Sequence, residues 1–208
     1  MIEPFILCAG AVLVFGQVFW IILENSTDTP WQIANLWYNV DMKKAFVFDF
    51  DDTLATTDCK VIIRRPKGGF RGLPVRKLTP AEFNHWQLAD GEVYDFSEFR
   101  SEKFIHNANP TFLMALAQEV HDEGHSVYVL TARADNVADA ITSWLLGFGV
   151  KPVRVFGVGS DDKKVDIPAE KQKVLRTLNQ VFDVVYFYDD DQHNVDLADQ
   201  AGVKTYLV

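Results

Sequence analysis

The sequence predicts an α/β domain built on a mostly parallel sheet, and three observations carry that expectation. Short apolar runs recur at residues 45–48, 127–130, 153–156, 184–188 and 203–208. Amphipathic helical stretches separate them. The runs lack the polar alternation of a half-exposed sheet, so they suit strands covered on both faces. At 208 residues the chain suits one domain with an appendage. A composition of 48% hydrophobic and 24% charged residues excludes a disordered chain and a polytopic membrane protein. The net charge of −9 argues against broad coating of nucleic acid and leaves a local basic patch open. Cys8 and Cys59 make neither a disulfide framework nor a metal-type cluster. A reducing compartment is the simpler assumption.

The chain divides near residue 42. Residues 5–23, FILCAGAVLVFGQVFWIIL, carry one polar side chain, Gln17, and no charge. A helix of that length nearly crosses a hydrocarbon core of about 30 Å. No Lys or Arg precedes it, so the basic start of a cleaved signal is missing. The first basic residues, Lys43 and Lys44, put the remainder of the chain on the cytoplasmic side. The expectation is an N-terminal hydrophobic helix that anchors a cytoplasmic domain to a membrane. A buried core helix is the competing reading. A start at Met42, which would leave a soluble protein, is a third. Residues 1–41 are thus a hydrophobic segment with its linker, and residues 42–208 are the main domain.

The elements of that domain follow in order. Residues 45–48 are a first strand that ends in acids. Asn109-Pro110 reads as a helix cap with proline at the first helical position, and Gly124 as the stop after residues 112–123. The second strand covers residues 127–130. Asp135 caps a helix to residue 146. A third strand covers residues 153–156, a helix residues 168–180, and a fourth strand residues 184–188. A helix over residues 194–200 stops at Gly202, and residues 203–208 close the sheet.

Ligands of parallel sheets sit at the carboxyl ends of the strands, so the residues just after each strand matter most. Asp49-Phe50-Asp51-Asp52-Thr53-Leu54 follows the first strand, Thr131-Ala132-Arg133 the second, and Asp189-Asp190-Asp191 ends the fourth. Lys171 begins the intervening helix. One acidic pair is a weak signal; acids, a hydroxyl and a lysine at one sheet edge are a stronger one. Converging carboxylates need a cation between them, and an all-oxygen set selects a hard ion, Mg²⁺ above all. A lysine and a hydroxyl beside it suit the oxygens of a phosphoryl group. Asp49 and Asp51, two residues apart on a strand, point to one face, so one can attack phosphorus while the other moves a proton. A donor role for Asp51 needs a raised pKa, and a neighbouring carboxylate works in that direction.

The order DFDDTL, LTAR, a helix-borne lysine and YDDDQHN resembles the haloacid dehalogenase superfamily of phosphatases and phosphotransferases. The resemblance covers roughly residues 45–208. It implies a Rossmann-like core and an aspartyl-phosphate mechanism. Asp49 would be the nucleophile and Asp51 the general acid and base. Thr131, Ala132, Arg133 and Lys171 would hold the phosphoryl group. Asp49, the Asp51 backbone carbonyl, and Asp189 or Asp190 would hold Mg²⁺. Asp52 stands where many members have glycine. Lys163, Lys164 and Lys173 compete with Lys171, which is preferred because Val174, Leu175 and Leu178 form the buried face behind it. Asp191 reads as a helix cap, Asn194 as structural, and His85, His106 and His193 as surface or packing residues.

Between the first two motifs lies an insert at about residues 58–108. Its stretch KVIIRRPKGGFRGLPVRK holds seven of the chain's twenty basic residues and no acid. Pro66-Lys67-Gly68-Gly69 reads as a hairpin turn and Thr79-Pro80-Ala81-Glu82 as a capping box. By the resemblance this hairpin is a substrate flap, with Arg64, Arg65, Lys67 and Arg71 facing the site and Phe70 placed to stack on a base. An edge hairpin blunted by charge is the plainer reading. Trp86, Tyr94, Phe96 and Phe99 read as aromatic packing of the insert. A basic flap would favour extra negative charge, as in a nucleotide or a polynucleotide 3′-phosphate. The leading expectation is Mg²⁺-dependent hydrolysis of a phosphorylated small molecule or nucleic-acid end, with no protein partner evident. A phosphotransferase or mutase is the alternative. A receiver-like signalling module fits less well, because its acidic pair and phospho-acceptor follow the opposite strand order.

Overall fold

A computed structural model describes residues 42–67, 72–160 and 165–208. Residues 5–23, read above as a membrane-spanning helix, lie outside them, as do Phe70, Arg71, Lys163 and Lys164. Among the described residues, no helix is long and apolar enough to cross a membrane.

Among the described residues, ten strands occur in chain order: β1 Lys44–Phe48, β2 Ala55–Thr56, β3 Val61–Arg64, β4 Pro74–Leu78, β5 Val93–Asp95, β6 Asn109–Pro110, β7 Ser126–Ala134, β8 Arg154–Gly159, β9 Val184–Asp189 and β10 Lys204–Leu207. The described residues also form six α-helices: α1 Pro80–His85, α2 Glu102–His106, α3 Leu113–Asp122, α4 Ala138–Leu146, α5 Ile167–Leu178 and α6 Gln192–Asp199. The main sheet has the order β10-β9-β1-β7-β8, and all its pairings are parallel. β1 sits at its centre, with Phe48 opposite Val129 on one side and Tyr188 on the other.

Both faces of this sheet are covered, as the apolar strands require. Phe46, Phe48, Val127 and Val129 pack with Leu113 and Ala117 of α3 and Ile141 and Leu145 of α4. Ala45, Val47, Leu130, Val185 and Phe187 point the other way, onto Leu175 and Leu178 of α5 and Ala198 of α6. The period of two in β1 thus builds two cores from one strand.

Asn109-Pro110 departs from expectation. These residues do not open a helix; they pair antiparallel with Ala55-Thr56. Proline is tolerated there because an edge strand need not donate at that position. Instead Thr111 prepares α3: its hydroxyl accepts from the Leu113 backbone at 3.2 Å and donates to the Thr53 carbonyl. Asp135 opens a short 3₁₀ turn, Asp135–Val137, ahead of α4. Side chains cap three of the other helices. Thr79 and Glu82 form a reciprocal capping box on α1, and Asp166 and Asp191 cap α5 and α6.

The insert forms its own three-stranded antiparallel sheet, β4-β3-β5. Val61, Ile63 and Leu78 are its buried centre, with Phe83, Trp86, Tyr94, Phe96 and Phe99 packed around them. The turn after β1 is the one place where a non-glycine residue takes a positive φ among the described residues: Asp52, at 57°. Asp tolerates the left-handed region better than most residues, and a β-branched side chain tolerates it worst. Asp52→Gly should therefore unfold at the same or a higher urea concentration than wild type, within about 1 kcal/mol, because relieved strain and added chain entropy oppose each other. Asp52→Val should be less stable than Asp52→Gly by about 1–2 kcal/mol. Equal stability of the two variants would remove the conformational argument.

Candidate active site

Three chain segments bring acids to the carboxyl edge of the main sheet. β1 delivers Asp49, whose backbone N–H donates to the Tyr188 carbonyl at 2.9 Å. β9 delivers Asp189, and the chain turns into α6 directly after it. Carboxylate oxygens of Asp49, Asp189 and Asp190 lie within 4.8 Å of one another. Asp49 and Asp189 are buried and Asp190 is exposed.

Lys171 comes from the second turn of α5, and its ammonium reaches the same point. Its Nζ lies 2.7 Å from Asp189 Oδ2 and 3.1 Å from Asp49 Oδ1. It is 1% exposed, so Lys171 has no water to fall back on. Lys173, the described competitor, is exposed and pairs with Glu170 at 2.6 Å. The remaining oxygen of Asp189, Oδ1, accepts from the Asp191 backbone and from Asn194 Nδ2, both at 2.9 Å. Asn194 therefore braces Asp189 through its amide.

Electrostatics follow from this crowding. Burial raises the Asp49 carboxyl well above the ordinary carboxylate range; Lys171 opposes the rise, while Asp189, Asp51 and Asp190 add to it. Burial, with Asp189 beside it, pushes Asp190 up to about 6. Burial alone would lower Lys171, but the charges of Asp49 and Asp189 outweigh it and hold the ammonium above its usual range. Asp49 Oδ1 is buried and lacks a hydrogen bond, despite the nearby Lys171 charge, and Asn194 Oδ1 is in the same condition.

Thr131-Ala132-Arg133 lies near the carboxyl end of β7, which runs on to Ala134. Thr131 is buried, and its hydroxyl accepts from the Arg133 backbone at 3.1 Å. β8 must pass very close to this turn. A Cβ on Gly159 would meet the Ala132 carbonyl oxygen at 1.9 Å, so only glycine fits.

Arg133 does not take the phosphate-binding place expected of it. Its guanidinium forks onto Asp51, with Nε to Oδ2 and Nη2 to Oδ1 both at 2.7 Å. Nη1 donates to the Phe99 carbonyl at 2.7 Å, and Nη2 also reaches Thr57 Oγ1 and Cys59 Sγ. The fork geometry matches a carboxylate, and a nearby carboxylate claims it first. Burial would lower Arg133, but its bonds to Asp51 raise it. The charged group closest to Asp51 is thus a guanidinium rather than a second carboxylate. Burial also raises the Cys59 thiol, and Arg133 opposes that rise.

A cavity of about 760 Å³ opens over this edge. Asp49, Asp51, Thr131, Ala132, Lys171 and Asp190 line its floor. The expected flap cations are directed elsewhere. Arg64 pairs with Asp95 and with the Gly72 carbonyl, and Arg65 pairs with Glu92 at 2.9 Å. Arg64, Arg65 and Lys67 are not among the described residues of the lining. The acids that neutralise the hairpin lie later in the insert, where sequence spacing gave no sign of them. Tyr94, Phe96 and Phe99 pack on one another and also line the cavity, which the packing expectation did not include.

No family model and no curated protein sequence matches the chain. Solved structures do match its fold. A chain of the Pnkp1/Rnl/Hen1 RNA repair complex aligns over 82% of this chain and 43% of its own, at 12% identity and a TM-score of 0.52. The present chain therefore spans less than half the length of that relative. The haloacid dehalogenase-like family protein SP0104 from Streptococcus pneumoniae aligns over 79% of this chain and 84% of its own, at 14% identity and a TM-score of 0.45. D,D-heptose 1,7-bisphosphate phosphatase from B. bronchiseptica, complexed with magnesium and phosphate, aligns over 79% of each chain at 12% identity and a TM-score of 0.44. With its central parallel sheet, its insert after the first strand and its acids at the strand ends, the chain shares the fold of that chain of the RNA repair complex.

Proposed function

We propose that the chain is a Mg²⁺-dependent phosphomonoester hydrolase that works through a phosphoryl group carried on Asp49. One observation carries the reading: Asp49 lies buried beside Lys171, within cation-sharing reach of Asp189 and Asp190, on the floor of an open cavity. Up to three negative charges face one buried ammonium, and Asp49 Oδ1 lacks a hydrogen bond. That imbalance, with oxygen donors only, fits a hard divalent cation. Asp49, Asp189 and Asp190 would hold it, with the Asp51 backbone carbonyl as the fourth protein donor that the resemblance implies. The ion, when bound, supplies positive charge between the nucleophile and the phosphate and so reduces their repulsion.

The side chains then have distinct work. Asp49 attacks phosphorus as the bond to the leaving alcohol breaks. Asp51 gives that alcohol its proton, then takes one from the water that attacks the phosphoryl group and frees Asp49. Arg133 fixes the Asp51 carboxyl in one orientation, which is a positioning role. Lys171 and Thr131 offer donors to the phosphoryl oxygens, and Lys171 also neutralises Asp49 and Asp189 between turnovers.

Three outcomes test this reading. Asp49→Asn should reduce hydrolysis of an aryl phosphate to background with circular dichroism unchanged, and EDTA should silence wild type until Mg²⁺ is restored; turnover that survives either treatment would sink the proposal. Arg133→Lys keeps a charge and loses the fork, so it should lower kcat by about ten- to a hundredfold with little change in KM, as misplacement of a proton-transfer group does. An unchanged kcat would separate Arg133 from the chemistry.

Proton and cation compete for the same carboxylates, which sets the sign of the pH effect. Because Asp190 titrates near 6, it is protonated below that pH. Mg²⁺ affinity should therefore rise as pH increases through about 6 and level off above it, with about tenfold weaker binding at pH 5 than at pH 7.5. Without the cation, a carboxyl raised in the folded state contributes stability that is lost as pH rises from the ordinary carboxylate range to about 6. The rise in melting temperature on adding Mg²⁺ should accordingly be larger at pH 7.5 than at pH 5. Calorimetric titration that finds equal affinity at both pH values would contradict the assignment of Asp190.

A further inference from the structure

Away from its acidic floor the cavity is walled by the insert, and that wall is apolar. Val61, Phe83, Leu88, Tyr94, Phe96 and Phe99 line it. Phe83, Tyr94, Phe96 and Phe99 are half-buried. They hold one another in place: Phe83 meets Tyr94 edge to face at 4.9 Å and 79°, and Phe96 at 5.5 Å and 86°. The Tyr94 hydroxyl donates to the Trp86 carbonyl at 3.0 Å, so that ring is pinned at its tip. Phe99 joins through Phe96 at 6.4 Å and stands 5.3 Å below the Arg133 guanidinium. Rings locked by mutual packing can receive another ring at little entropic cost.

Among the described residues, few positive charges are left over for a second anionic group in the same space. Arg64, Arg65 and Lys77 are matched to Asp95, Glu92 and Glu98 within the insert, and Arg76 lies 4.4 Å over the Trp86 ring. Of the described basic residues in the lining, Arg133 is held by Asp51 and Lys171 by Asp49 and Asp189, and Arg100 is the insert's contribution. Asp52, Asp190 and Asp191 share that lining. Among the described residues of the lining, acids outnumber bases, which disfavours an additional phosphate.

Resting on the phosphatase reading above, we propose that the insert selects phosphomonoesters by an aromatic ring in the leaving group, received against Phe83, Tyr94, Phe96 and Phe99, and not by additional negative charge. A benzyl-type alcohol and a nucleoside both supply such a ring. The first carries it one carbon from the ester oxygen, and the second carries it beyond a sugar.

Steady-state kinetics on the full chain with Mg²⁺ separate these cases. The substrates are benzyl phosphate, glycerol 1-phosphate, a nucleoside 5′-monophosphate and a nucleoside 3′,5′-bisphosphate. Benzyl alcohol and glycerol are primary alcohols of similar basicity, so the ring rather than leaving-group reactivity distinguishes them. The better of the two ring esters should exceed glycerol 1-phosphate in kcat/KM by about five- to a hundredfold, chiefly through KM, and its identity names the source of the ring. The bisphosphate should do no better than the monophosphate at low salt. Phe83→Leu and Phe96→Leu, each checked for folding by thermal melting, should bring the ratio of ring ester to glycerol ester toward one. Equal kcat/KM for ring and ringless esters, or preference for the bisphosphate, overturns the inference and leaves the phosphatase reading in place. Hydrolysis of none of the esters overturns that reading, and the inference falls with it.

Discussion

Lys171 carries its ammonium into the interior between Asp49 and Asp189, on contacts of 3.1 and 2.7 Å, and the arrangement of the site depends on that contact. Each of these charges alone would be costly in so buried a place. Together they are tolerable, provided that every remaining oxygen and proton finds a partner. Asp189 meets that condition through Asn194 and the Asp191 backbone. Asp49 does not: its Oδ1 has the Lys171 charge at 3.1 Å but no hydrogen bond, and the residue lines the cavity. The sheet supplies one fully braced carboxylate and one held ready for another positive charge. That asymmetry separates a structural ion pair from a reactive one.

Topology makes the contact attainable. β1 is central, so its carboxyl end is flanked by the ends of β7 and β9, and three motifs far apart in sequence meet within one turn of chain. The insert is joined to this edge by Arg133, which binds Asp51 on one side and the Phe99 carbonyl on the other. The group that orients the proton-transfer carboxyl therefore also seats the wall of the cavity. Any shift of the short 3₁₀ turn Ser97–Arg100 would be felt at Asp51 through two hydrogen bonds.

Much of this was legible in the sequence because the signals were local. Apolar runs located the strands of the main sheet, capping residues located the starts of α1 and α6, and the order of the acidic motifs located the edge. Leu175 and Leu178 behind Lys171 distinguished it from Lys173. What escaped was pairing at a distance. Arg133 looks like a phosphate ligand until Asp51 is seen to hold it across the sheet edge. The cationic hairpin looks like an anion trap until Glu92, Asp95 and Glu98 are folded onto it. Asn109-Pro110 reads as a helix start because nothing local reveals Ala55-Thr56 beside it. In each case the competing partner lies at least 21 residues away along the chain, beyond the reach of pattern or spacing.

The central claim is that the carboxylate left unsatisfied beside Lys171 is the one that takes the phosphoryl group. It is tested most directly by acid-quenching the enzyme during turnover and mapping covalent phosphate by mass spectrometry. The account predicts a hydroxylamine-sensitive phosphoryl group on the peptide containing Asp49, at Asp49 itself. Turnover with no trapped label, or with the label on Asp51, Asp189 or Asp190, would contradict it.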